Sequence, residues 1–181
     1  MKKTILFASF LALTGGLFAQ KKITTSATVK FDASTSIDNL PKAENKTVIA
    51  SLNTSTGAIA FEAAVKNFAF SNPMMQDHFN GGSWMESDKY STFTYKGNIT
   101  DLSAVDFTKD GTYQVKTDGI LSIKGVEKKL STPATITVNG GTITANADFS
   151  VKLSDYGIGG APVDGGKVSK EPKINVTAEL K

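Results

Sequence analysis

The sequence predicts an all-β domain closed into an eight-stranded antiparallel barrel, with one short helix between the third and fourth strands. Three observations lead there. Apolar and polar residues alternate through most of the chain beyond residue 20, the period of a strand with one buried face. Turn residues separate the alternating runs, most clearly Asn139-Gly140-Gly141, since Asn-Gly supplies the positive φ that a tight hairpin needs. A final run carrying Ile174, Val176, Ala178 and Leu180 could pair with an early strand, closing the sheet and removing its edges. A two-sheet sandwich is the alternative.

The strands follow in order. The first, over roughly 23–31, places Thr25, Ala27, Val29 and Phe31 on one face, and the second, 46–53, places Val48, Ala50 and Leu52. The third, 57–70, carries Ile59, Phe61, Ala63 and Val65; Phe68 and Phe70 fall out of phase, which predicts a bulge near Lys66-Asn67. Pro73 suits the first turn of a short helix and Gly81-Gly82 its end. Met74, Met75 and Phe79 would share one face of that helix, as a plug or a soft lid over the barrel end. Strand four, 90–99, aligns Phe93, Tyr95 and Ile99; strand five, 112–124, aligns Tyr113, Val115, Leu121 and Ile123. The sixth and seventh, 128–138 and 142–153, form the Asn-Gly hairpin, and the eighth spans 173–180.

Several inward positions are small. Ala63, Gly97, Thr117, Gly119, Ala145 and Ala147 share faces with Phe61, Tyr95, Leu121 and Phe149. An eight-stranded barrel is just wide enough to be filled by side chains or to hold one small ligand. Small residues in it either leave a tunnel or match large residues across the barrel.

Residues 1–19 read as an export signal. Lys2 and Lys3 precede an apolar run from Ile5 to Phe18, and Ala19 offers a small residue for cleavage. The expected domain is therefore 20–181, periplasmic or secreted, with no stable membrane span. The sequence contains no cysteine, which excludes disulfides and thiolate chemistry. Every basic residue is Lys, and loss of Lys2 and Lys3 brings the formal charge from +3 to near zero. Without Arg's planar fork or a basic surplus, nucleic acid is excluded as a partner.

Gln76-Asp77-His78-Phe79 resembles the Arg-Asp-x-His-Leu segment of the YceI-like family of exported bacterial proteins. Trp84 to Tyr90, running on to Phe93, is similar to that family's Phe-Phe-Asp-x-x-Lys-Tyr-Pro-x-x-x-Phe stretch, and Gly119 to Lys128 to its Gly-x-Leu-Thr-Ile-Lys-Gly-x-x-Lys signature. Ala147-Asp148-Phe149, Tyr156-Gly157 and a last Ile174-Asn175-Val176 strand fall in the family's order, so the resemblance covers roughly 57–181. It implies a lipocalin-like barrel that binds polyisoprenoid chains and performs no chemistry on them. No cofactor is implied; the partner is a long apolar molecule, and a homodimer is left open. Gln76 stands where the family commonly has Arg, and Ser91 where it has Pro. Loss of that Arg points to a neutral isoprenoid, such as a quinone, rather than a pyrophosphate.

The candidate ligand-binding residues are Phe61, Phe70, Met74, Met75, His78, Phe79, Trp84, Tyr90, Phe93, Tyr95, Leu121 and Phe149. His78 is the single histidine, and only Asp77 and Glu86 lie nearby, too few for a metal site. General-base work would need an orienting partner that the sequence does not offer; the ring is expected to tie the helix to neighbouring backbone. The glycine-rich run 157–166 lacks the following Lys-Ser/Thr of a phosphate loop and reads as a mobile loop. No Gly-x-Ser-x-Gly turn or other catalytic constellation is present. The rivals to a lipid carrier are an interaction barrel with a filled core and a hydrolase or isomerase using His78.

Overall fold

A computed structural model describes residues 20–181; the export signal read at 1–19 lies outside them. Nine strands form one sheet: β1 Lys21–Asp32, β2 Lys42–Asn53, β3 Ala58–Ala64, β4 Ala69–Phe70, β5 Thr92–Ile99, β6 Gly111–Ile123, β7 Val126–Asn139, β8 Thr142–Ser150 and β9 Lys173–Leu180. All pairings are antiparallel, and the order β1-β9-β8-β7-β6-β5-β3-β2 is closed by a β1–β2 ladder. This is a closed eight-stranded barrel with one short extra strand. Closure runs through β9 as the sequence suggested, Thr28 facing Thr177 and Asp32 facing Lys173.

The extra strand corrects the third predicted element. The expected strand 57–70 breaks after Ala64 into a 3₁₀ turn, Val65–Asn67, and the two residues of β4 then pair with Ala43 and Glu44 of β2. Asn45 holds this seam. Fully buried on β2, it donates from Nδ2 to the Ala64 carbonyl at 2.9 Å, where β3 ends. Its Oδ1 accepts from both the amide and the hydroxyl of Thr47, at 2.9 Å each. A buried amide is tolerated because it is satisfied on both sides.

Two hairpins close through two-residue turns. In the β7–β8 turn Asn139 itself pairs with Thr142, so the positive φ falls on Gly140 and Gly141 rather than on Asn139. The β6–β7 turn uses Lys124 and Gly125, both at positive φ.

The two ends of the barrel differ. Around the β7–β8 turn, Leu52, Ile136, Ile143 and Leu180 are among the most deeply buried side chains, and Val115, Val138 and Ile99 are buried with them. That end is solid. The opposite end is crossed by the helix α1, Pro73–Asn80, and by the segment 151–172, which contains a 3₁₀ turn at Leu153–Tyr156 and one helical turn α2, Ala161–Asp164. Asn72 caps α1 by accepting from the Met74 amide at 3.0 Å. Gly81 ends it, donating to the Asp77 and His78 carbonyls. Within the glycine-rich run read as a mobile loop, Ile158 and Val163 are buried.

Candidate ligand-binding cavity

The alternation of the strands sends one residue in two inward, and between α1 and the floor at Leu52, Ile136 and Leu180 those residues do not fill the bore. They enclose a cavity of about 160 Å³, partly open to solvent. Phe31, Phe61, Phe93, Tyr95 and Phe149 line it with Leu121, and no lining residue is charged. Several of them remain half-buried although they point inward, because the space they face is empty.

One rim is closed by aromatic packing. Phe79 descends from α1, only 5% exposed, with its ring centroid 4.9 Å from Phe70, 6.0 Å from Phe68 and 6.2 Å from Phe31. Phe68 continues the cluster to Phe93 at 5.8 Å. Met85 follows Phe79 into the interior from the loop after α1. Tilted contacts of this kind add modestly to the burial of large rings.

The small inward residues divide into two groups. Ala63, Thr117, Ala145 and Ala147 line the cavity. Gly97 and Gly119, which face each other across β5 and β6, instead make room for Tyr95. A Cβ on Gly119 would sit 2.5 Å from the Lys96 carbonyl and 2.7 Å from Tyr95 Cζ. The Tyr95 hydroxyl then donates to Thr117 Oγ1 at 3.1 Å. Thr117 in turn donates to the Thr132 carbonyl at 3.3 Å. Burial pushes the Tyr95 phenol above its ordinary pKa, while the bond to Thr117 pulls the other way.

Across the ring from the phenylalanine cluster, the hydrogen-bonded wall is interrupted, and the 3₁₀ turn Leu153–Tyr156 lies beside β7 there. The β7–β8 ladder ends at Ala134–Ala147, yet β7 stays paired with β6 down to Val126 and β8 with β9 down to Ser150. Beyond β8 the chain still follows β9, through Val151 N to the Pro172 carbonyl and Leu153 N to the Lys170 carbonyl, both 3.0 Å. A side chain spans the resulting gap where the ladder would have continued: Thr132 Oγ1 donates to the Asp148 carbonyl at 3.3 Å. Leu130, Thr132, Phe149, Val151 and Leu153 line the cavity at this gap.

Of the residues singled out in the sequence, Phe61, Phe79, Phe93, Tyr95, Leu121 and Phe149 line the cavity, and Phe70, Met74, Met75, His78, Trp84 and Tyr90 do not. Phe70 packs on Phe79 from outside the lining. Met74 is 66% exposed and Met75 half-buried. Thus Phe79, not the methionines, turns from α1 into the interior. His78 is exposed on α1, and its ring makes no hydrogen bond among the described residues; it does not tie the helix to neighbouring backbone. Trp84 packs against the core without reaching the cavity. Tyr90 lies over Gly125, where an added Cβ would be 2.8 Å from its ring. Sequence reasoning missed Met85 and Thr132 as lining residues, along with the gap itself. The strand parity of Thr132 was readable; the place of Met85 in the turn after α1 and the parting of two strands were not.

Among the described residues, no group of three His, Asp or Glu side chains could hold a metal ion. No helix among them is long and apolar enough to cross a membrane.

Residues 14–180 match the family model described as the YceI-like domain. No curated protein sequence matches the chain. Among solved structures, the fold is similar to a polyisoprenoid binding domain from Saccharophagus degradans implicated in plant cell wall breakdown. The TM-score is 0.75 at 14% identity, covering 90% of this chain and 98% of that one. It is also similar to Burkholderia cenocepacia BcnA, with TM-score 0.70, 19% identity and 86% and 96% coverage. A Campylobacter jejuni YceI protein aligns with TM-score 0.52 at 14% identity, over 99% and 94% of the two chains.

Proposed function

Because this chain belongs to the family of YceI-like domains, we propose that it is an exported, non-enzymatic carrier that holds a polyisoprenoid or quinone-like chain in the barrel interior. The observation that carries this reading is the uncharged cavity of about 160 Å³ in a barrel that is otherwise closely packed. Interiors seldom leave such space unfilled. The polyisoprenoid binding named for the similar Saccharophagus degradans domain supports the ligand class. Size limits the pose. A dry cavity of about 150 Å³ takes a single small hydrocarbon ring, and whole drug-sized pockets start near 300 Å³. Only the last units of a long chain would fit, with the remainder passing out through the β7–β8 gap.

Organic extraction of the purified protein, followed by mass spectrometry, tests the reading. Co-purified or reloaded isoprenoid is the expected result. Protein that is always ligand-free and also refuses added isoprenoids would overturn it.

One observation favours an interaction barrel without a ligand: large, deeply buried side chains, Leu52, Ile136 and Leu180, already close the floor of the cavity around the β7–β8 turn. Filling the cavity by Ala145→Leu separates the two, since it abolishes loading of a carrier and leaves an interaction barrel intact.

A further inference from the structure

Resting on the carrier reading, we infer that the ligand inserts tail-first and that Lys128 holds an anionic head group, phosphate or carboxylate, at the β7–β8 opening. The interior offers a head group nothing. No lining residue is charged, and the hydroxyls at inward strand positions, those of Tyr95, Thr117 and Thr132, are engaged within the wall, while Ser51 and Thr94 stand at outward positions. Tyr95 donates to Thr117, Thr117 to the Thr132 carbonyl, and Thr132 to the carbonyls of Pro133 and Asp148. A polar head drawn inside would lose its water with no donor to replace it, which is costly. The tail therefore leads, and the head stays at the mouth.

Beside the break in the β7–β8 ladder, where this inference sets the mouth, stands a suitable cation. In the β6–β7 ladder Lys128 stands opposite Leu121, and directly opposed residues project to the same face. Leu121 lines the cavity, as does Leu130, two residues along β7 from Lys128. Lys128 thus occupies an inward position, yet it is exposed. β8 has left β7 by this point, so an aliphatic stem can follow the gap while the ammonium reaches water. Among the described residues no carboxylate lies within ion-pairing distance of Lys128. Glu127 faces the other side of β7, and Glu86, beside the β6–β7 turn, is engaged by Lys124 at 3.1 Å. An ammonium meeting a carboxylate or phosphate forms the shorter, stronger class of hydrogen bond. Gln76, where the family commonly has Arg, lies elsewhere: it borders a surface hollow on α1 and its Oε1 accepts from the Phe70 amide. A neutral residue there leaves the cavity mouth unchanged.

The test compares two pairs of probes, each sharing one tail: farnesyl phosphate with farnesol, and dodecanoate with dodecanol. Affinities are measured by calorimetry on the full chain and on Lys128→Gln, with Lys129→Gln on the outward face as the charge-matched control. The expected result is a preference for at least one anion over its alcohol of about tenfold. Lys128→Gln should remove that preference, Lys129→Gln should keep it, and the alcohols should bind all three proteins alike. Equal binding of anion and alcohol, or equal effects of the two substitutions, overturns the assignment of Lys128 while leaving the carrier reading standing. Failure of all four probes to bind overturns both.

Discussion

Glu86 and Lys124 are the only non-glycine residues among the described ones with a positive φ, 48° and 51°, and their side chains meet as an ion pair at 3.1 Å. The pair fastens the loop after α1 to the β6–β7 turn. That loop carries Met85 into the cavity and Tyr90 over Gly125. Two backbones held in a sparsely populated region thus support one contact. A double-mutant cycle of Glu86→Gln and Lys124→Gln should return a coupling of about 0.5–1 kcal/mol in denaturant unfolding, as expected for a partly exposed pair. Glu86→Gly, which loses the pair but relieves the backbone, should be more stable than Glu86→Gln. The reverse order would mean that the conformation is not strained.

Gly119→Ala should be strongly destabilising. Its Cβ would meet the Lys96 carbonyl, the Gly97 Cα and the Tyr95 ring, all within 2.7 Å, and two of the three are backbone. Overpacking of this kind costs about 1–3 kcal/mol. Alanine in place of Gly140, whose added Cβ meets nothing within 4 Å, should cost only what its positive φ demands, about 1 kcal/mol. Thermal or urea midpoints that rank the two the other way would refute the packing argument.

Tyr95 and Tyr156 make the fold sensitive to alkali. Burial raises both phenols above their ordinary 10.0; at Tyr95 the bond to Thr117 opposes the shift, and at Tyr156 the charge of Asp155 adds to it. A raised folded pKa means that the stabilisation is complete below pH 10 and is lost as pH climbs through the folded value. Unfolding midpoints should therefore fall above pH 10, and Tyr95→Phe should flatten that fall. The same substitution loses one hydrogen bond at neutral pH, about 1 kcal/mol. Absorbance titration of tyrosinate in the two proteins checks the assignment.

The β7–β8 gap can be stapled. Continuing the Ala134–Ala147 register three strand positions past its end sets Ser131 against Ser150, both exposed. The absence of native cysteine makes Ser131→Cys/Ser150→Cys an unambiguous pair. If ligand passes through this gap, a short bismaleimide bridge across it should slow isoprenoid loading at least about tenfold, as residence and access rates respond steeply to a closed path. Unbridged double mutant should load normally. Unchanged loading in the bridged protein would place the route at another rim.

Much of the barrel was legible because inward and outward residues alternate with little interruption. Ile143, Ala145, Ala147 and Phe149 of β8 announce their face without ambiguity. The third strand misled for a physical reason. A bulge and a 3₁₀ turn both shift the phase of Phe68 and Phe70, and only the contact of Asn45 with the Ala64 carbonyl distinguishes them. Within the candidate site, helical spacing placed Met74, Met75 and Phe79 together, but eight residues of α1 bury just one of them. The gap depends on which partner β8 keeps, a competition between ladders that local sequence does not record.

The three bonds of Asn45 have a mechanical effect. The two to Thr47, on the same strand, fix the amide's orientation, and the third crosses to Ala64, so that widening the joint between β2 and β3 would strand the Nδ2 donor in the dry interior. Any swelling of the barrel around a bulkier guest is thereby deflected to the far wall, where a lone hydroxyl is the compliant stitch.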